Sequence, residues 1–172
     1  MQRLTLTIFA AACALTAGVG CSSGGINTDP TLFVTATAKD PMANVTKVAA
    51  GTSATGGFTI ALHLGARASG SADVTLNSFQ ITTTDKKTVV VDSVPLKPVG
   101  ATLPVTLEPG DDEDLKVEID LGSKLFTSDE GTKLCAFSSP SSLIFTGSIN
   151  DTLRGGALPL DSGVITVTGC TP

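Results

Sequence analysis

The chain has 172 residues, with 11 Lys and Arg against 16 Asp and Glu, and it contains neither Trp nor Tyr. An acidic chain without a basic run is a poor partner for nucleic acid, and the missing aromatics remove the usual platforms for stacking bases or sugars. A hydrophobic content of 41% with 16% charged residues excludes a disordered chain and fits one packed domain.

Arg3 is the only charge in residues 1–20, and the stretch from Leu4 to Gly20 is uncharged. A cationic tip, an apolar stretch and small residues before a cut are the parts of a secretory signal. Thr5, Thr7 and Thr16 dilute the stretch, which is marginal for a bilayer-spanning helix of about 20 apolar residues; an uncleaved anchor is the alternative. The stretch ends in Gly18-Val19-Gly20-Cys21, followed by Ser22-Ser23-Gly24-Gly25. These residues resemble the lipobox of bacterial lipoproteins, in which the cysteine receives diacylglycerol and becomes the first residue after cleavage. The family usually has Leu three positions before the cysteine, where this chain has Gly18. A conventional signal peptidase also accepts Gly18-x-Gly20, which would leave Cys21 a thiol.

The resemblance implies lipid attachment at Cys21 and a membrane as partner. Ser22, in place of an Asp after the cysteine, implies the outer membrane or cell surface rather than the inner membrane. Residues 21–30 then read as a small, polar, Gly-containing tether, and 31–172 as the folded domain. Cysteine arithmetic supports the same assignment. Cys13 leaves with the signal, so Cys21, Cys135 and Cys170 remain, an odd number for an oxidising compartment. Lipidation consumes Cys21 and leaves Cys135 to pair with Cys170. With no Cys-x-x-Cys and no cationic cluster beside either, that disulfide reads as structural.

Beyond Thr31 the chain breaks into short alternating runs, with strands expected at 32–38, 45–50 and 58–64. In the third, Phe58, Ile60, Leu62 and Leu64 share the inward parity. In 74–83 the parity switches between Val74/Leu76 and Phe79/Ile81, which predicts a β-bulge near Asn77-Ser78. Thr84-Asp85-Lys86-Lys87 reads as a hairpin tip leading to a strand at 88–94. Strand 102–107 meets 113–121 through Glu108-Pro109-Gly110-Asp111, whose central Pro-Gly is type II turn chemistry. A single helical turn is expected around Ser123 to Phe126, then strands at 133–138, 143–149 and 163–169.

Many short strands with closely spaced turns predict an all-β, antiparallel sandwich of roughly 7–10 strands with at most one short helical turn. The Leu103–Leu107, Pro109-Gly110 and Leu115–Leu121 runs resemble a hairpin common in bacterial immunoglobulin-like domains, and so imply an immunoglobulin-like sandwich. The buried Trp and the tyrosine corner of antibody-type domains are missing.

Few residues nominate chemistry. His63, the only histidine, falls on the wet parity of its strand, with no nucleophile or orienting group nominated by the sequence. No Gly-x-Ser-x-Gly, His-Glu-x-x-His or phosphate-cradling glycine loop occurs. Four carboxylates, Asp111-Asp112-Glu113-Asp114, adjoin the Pro-Gly turn; Asp111, Asp112 and Asp114 are candidate calcium ligands, with Asp129 and Glu130 as neighbours. Calcium loops alternate their ligands around a glycine, whereas this run is contiguous, so a solvated tip is the default and no cofactor is expected. Asn44-Val45-Thr46 and Asn150-Asp151-Thr152 match the glycosylation sequon, which a bacterial lipoprotein rarely uses. The expectation is a non-enzymatic, membrane-anchored lipoprotein acting by contact with a protein or the envelope, with a calcium or small-ligand module as the alternative.

Overall fold

The computed structural model describes residues 32–137 and 142–170. The expected signal segment 1–20 and the expected tether 21–30 with Cys21 lie outside the described residues. Two sheets hold the chain. The first contains β1 (Val34–Val48), β2 (Gly51–Leu64), β7 (Asp112–Ile119), β5 (Leu96–Pro98) and β10 (Thr166–Thr168), in the order β10-β1-β2-β7-β5. The second contains β3 (Ala72–Thr83), β4 (Val89–Val94), β8 (Leu143–Asp151) and β9 (Gly156–Val164), in the order β4-β3-β8-β9, with β6 (Val105–Leu107) also paired to β3. The ladders are antiparallel except for β1 with β10.

The alternation read from the sequence builds the core. Phe58 of β2 lies 5.0 Å from the Phe145 ring of β8 and 5.7 Å from Phe79 of β3, measured between centroids. Ile60, Leu62 and Leu64 follow on the same inward parity, and Leu115 and Val117 of β7 continue the layer. The protein is an all-β sandwich of two packed sheets.

Two strands switch sheets at the edges. The chain of β4 bends at Pro95 and continues as β5, so it pairs first with β3 and then with β7. Pro95 brings no N–H to a ladder, while its carbonyl accepts from the Asp120 N–H at 2.9 Å. β9 likewise turns at Ile165 into β10, moving from β8 to β1. Such corners leave little continuous edge for another chain to pair with.

The bulge in β3 is where its parity break placed it. Leu76 pairs with Ile149 and Phe79 with Gly147, so Asn77 and Ser78 on one strand stand against Ser148 alone on the other. The opposite edge of β3 changes partner across the same bulge, from β6 at Val74 to β4 at Phe79. Asn77 fixes it by exchanging amide hydrogen bonds with Asn150, at 2.8 and 3.1 Å.

Several expectations need correction. Strands 32–38 and 45–50 are one strand, β1, kinked by a bulge between Lys39 and Met42 where Asp40 has φ 52° beside Pro41. The Glu108–Asp111 turn forms, with Gly110 at φ 97° and the Asp111 N–H donating to the Glu108 carbonyl. It does not close a hairpin: β6 belongs to one sheet and β7 to the other. The turn instead docks on the end of β2, where the Gly110 N–H donates to the Leu64 carbonyl and the Leu64 N–H to the Asp111 carbonyl. Strand 102–107 is shortened to Val105–Leu107, after a cis Leu103–Pro104 bond.

The segment expected as strand 133–138 lies largely in a helix, α1 (Ser128–Ala136). The helical turn expected at Ser123–Phe126 is a turn closed by the Lys124 N–H on the Leu121 carbonyl, after which Phe126 pairs with Thr52 as an isolated bridge. The helix starts one residue after Thr127, whose side chain accepts from the Glu130 N–H while the Glu130 carboxylate accepts from the Thr127 N–H. That reciprocal capping box sets the boundary.

The two ends of the sandwich differ. Val34 pairs with Leu64 where the chain enters, and Val48 pairs with Gly51 at the far end. The bridge of Phe126 to Thr52 sets α1 at that far end, and β10, parallel to β1, carries the chain toward Cys170 in the same direction. Entry and exit are therefore at opposite poles.

Candidate functional site

The β2–β7 register sets His63 directly opposite Asp112. The imidazole Nδ1 lies 2.9 Å from Asp112 Oδ1, with the two side chains 35% and 82% exposed. A cross-strand carboxylate that orients an imidazole is part of the constellation used in nucleophilic catalysis. The sequence did not nominate this partner, because register between strands 49 residues apart is a tertiary property. On the other side of His63, the Thr35 hydroxyl is directed to the His63 backbone carbonyl at 3.4 Å. The pair stands on an open sheet face, where such a contact contributes at most about 1 kcal/mol.

The acidic run is divided among separate partners. Asp111 caps its own turn, with Oδ2 accepting from the Glu108 N–H at 2.9 Å. Asp112 faces His63, and Asp114 lies 3.4 Å from the Lys39 ammonium. Glu113, opposite Leu62, has the other parity. Asp129 pairs with Lys133 one helical turn on, and Glu130 closes the capping box. Among the described residues, no group of three or more His, Cys, Asp or Glu side chains is placed to hold one metal ion.

Cys135, in the last turn of α1, is bonded to Cys170. Asn150 of the second sequon is engaged with Asn77, and Asn44 lies in the β1–β10 ladder opposite Thr168. Asp85, at the tip of the β3–β4 hairpin, accepts from the Thr83 hydroxyl at 2.6 Å and the Lys87 N–H at 3.2 Å. The Thr83 hydrogen bond, and after it that of Lys87, holds the Asp85 carboxyl below its ordinary value.

One cleft lies beside α1. It encloses about 450 Å³ between the β4–β5 corner, the segment from Asp120 to Phe126 and the start of the helix. Leu121, Leu125 and Phe126 supply apolar lining, and Asp92, Asp120 and Glu130 supply carboxylates. Asp120 is 3.2 Å from Lys97, and Glu130 serves the cap, while the Asp92 side chain has no hydrogen bond or ion pair among the described residues.

No helix among the described residues is long and apolar enough to cross a membrane. Fold and surface together define a two-sheet β sandwich with a helix-capped pole. Comparison with protein families, curated proteins and solved structures found no match.

Proposed function

We propose that this protein is an exported lipoprotein, anchored through Cys21, whose sandwich acts by contact at the outer membrane or cell surface and without catalysis. The observation that carries the reading is the Cys135–Cys170 bond. Once residues 1–20 are removed, it leaves Cys21 as the odd cysteine, directly behind Gly18-Val19-Gly20. Two or three acyl chains on that residue hold a protein stably on a bilayer, at about 0.8 kcal/mol for each buried methylene. The divided acidic run gives the calcium alternative no support, since Asp111, Asp112 and Asp114 engage different partners.

Metabolic labelling with a radioactive fatty acid tests the anchor. The parent chain and a Cys135→Ala variant are expected to incorporate label, and Cys21→Ala to lose it. Label retained in Cys21→Ala would overturn the reading.

A further inference from the structure

We propose that the cleft beside α1 is a docking site for a partner protein's segment carrying Lys or Arg next to an apolar side chain. Its placement away from the membrane rests on the proposed lipid anchor, whereas its chemistry does not. Residues between Cys21 and Phe33 reach at most about 40 Å when fully extended. They join the sandwich at the pole where Val34 pairs with Leu64. β2 runs 14 residues away from that pole, about 45 Å at strand rise, to the end that α1 covers. The α1 pole, and the cleft beside it, is thus the end of the domain farther from the point where the tether joins.

The lining specifies the occupant. Leu125 is 39% exposed, large and apolar, and adjoins Leu121 and the buried Phe126, so the cleft rewards an apolar side chain. Three carboxylates line the cleft with Lys124, and Lys97 stands on Asp120, which still leaves a negative rim that favours a cation. Asp92 is the strongest element of that rim, because Asp120 already faces Lys97 and Glu130 already holds the Thr127 N–H. A Lys or Arg can lay its aliphatic stem along Leu125 and bring its charge to Asp92. An acidic segment would meet like charge at the same rim.

The chain contains no Trp or Tyr, so a Trp-containing peptide reports binding without background from the protein. The probes are Lys-Trp-Lys and Glu-Trp-Glu amides, titrated with the full chain in detergent micelles against empty micelles. Lys-Trp-Lys is expected to give a saturable blue shift that Glu-Trp-Glu does not. Asp92→Asn is expected to weaken binding about fivefold, and Leu125→Ser about tenfold. Equal binding of both peptides, no saturable shift, or unchanged affinity in both variants would overturn the proposal. Repeating the titration on vesicles containing brominated phosphatidylcholine separates the two readings. Peptide binding by a chain that does not take to vesicles supports the cleft and refutes the anchor. Vesicle attachment without peptide binding refutes the cleft and leaves the anchor standing. Bound Trp that escapes bromine quenching supports the distal placement, and strong quenching overturns it.

Discussion

Gly131 of α1 stands against Thr52 of β2 so closely that a Cβ on the glycine would lie 1.9 Å from the threonine hydroxyl and 2.7 Å from its Cβ. Thr52 is held in place by two hydrogen bonds to Phe126, both 2.9 Å, so the strand has little room to yield. A glycine in mid-helix ordinarily costs about 1 kcal/mol relative to alanine. Here the close approach reverses the sign. Gly131→Ala is expected to destabilise the protein by about 1–2 kcal/mol, the overpacking cost less the gain in helix propensity. Urea unfolding measures it, and Thr52→Gly in the same background should restore part of the loss. A stabilised Gly131→Ala variant would show that the helix does not sit on Thr52.

Asp151 and Arg154 close the opposite, entry pole. The Asp151 carboxylate is fully buried and accepts from the Arg154 N–H at 2.6 Å and from its Nε at 3.3 Å. The guanidinium also donates to the Val34 carbonyl at 3.0 Å and lies 5.2 Å from the Phe33 ring centroid. Removal of the two partners should be unequal. Arg154→Ala strands a buried carboxylate and is expected to cost about 2–3 kcal/mol. Asp151→Asn leaves an arginine that is 34% exposed and can turn to water, at a cost of about 1 kcal/mol. Thermal melts of the two variants compare them directly, and equal losses would mean that the arginine does not neutralise the buried site.

What could be read from sequence follows from which interactions are local. The break in parity between Leu76 and Phe79 was enough to place the bulge, because one extra residue flips every later side chain. The Pro-Gly turn was legible as a turn, but the sheet to which each flank belongs depends on Leu64, a residue more than forty positions upstream. β5 and the body of β9 are not legible because Pro98, Pro159 and Gly163 interrupt them, and such residues are tolerated at edges and corners; the expected strand 163–169 covers only the end of β9 and, past Ile165, β10. Helix α1 buries only Gly131 and Leu134, so no apolar stripe of helical period announces it. Its signal was Thr127-Ser128-Asp129-Glu130, the Thr-x-x-Glu spacing of a capping box, which outweighs the apparent strand at 133–138. At the candidate site, residue types were visible but pairings such as His63 with Asp112 were not.

The β3–β4 hairpin carries a pH dependence whose sign is fixed by Asp85. Its carboxyl is held below the ordinary value of 3.8, so its ionised form is favoured in the folded state. The resulting stabilisation is complete above the unfolded carboxylate range and is lost as pH falls through the depressed folded value. Asp85→Asn is therefore expected to melt below the parent at pH 7. The two curves should converge as the pH is lowered below about 4. A gap between them that stays constant across this range would assign the effect to shape rather than charge.

The Cys135–Cys170 bond should matter most where the fold is otherwise weakest. It spans 35 residues of sequence, and closing a loop of that size removes about 3.5–4 kcal/mol of chain entropy from the unfolded state. A nine-residue helix is marginal by itself, and β10 is only three residues long. The bond ties these two short elements together at the pole opposite the chain entry. The double variant Cys135→Ala/Cys170→Ala, which leaves no stray thiol between them, is expected to lose stability on that scale. Hydrogen exchange should resolve where the loss falls. Amides of Lys133 to Ala136 and of Thr166 to Thr168 are expected to lose protection first. Ile60 and Phe145, both wholly buried between the sheets, are expected to keep it until global unfolding. A double variant with unchanged melting and unchanged exchange at α1 would show that the sandwich secures this pole without the bond.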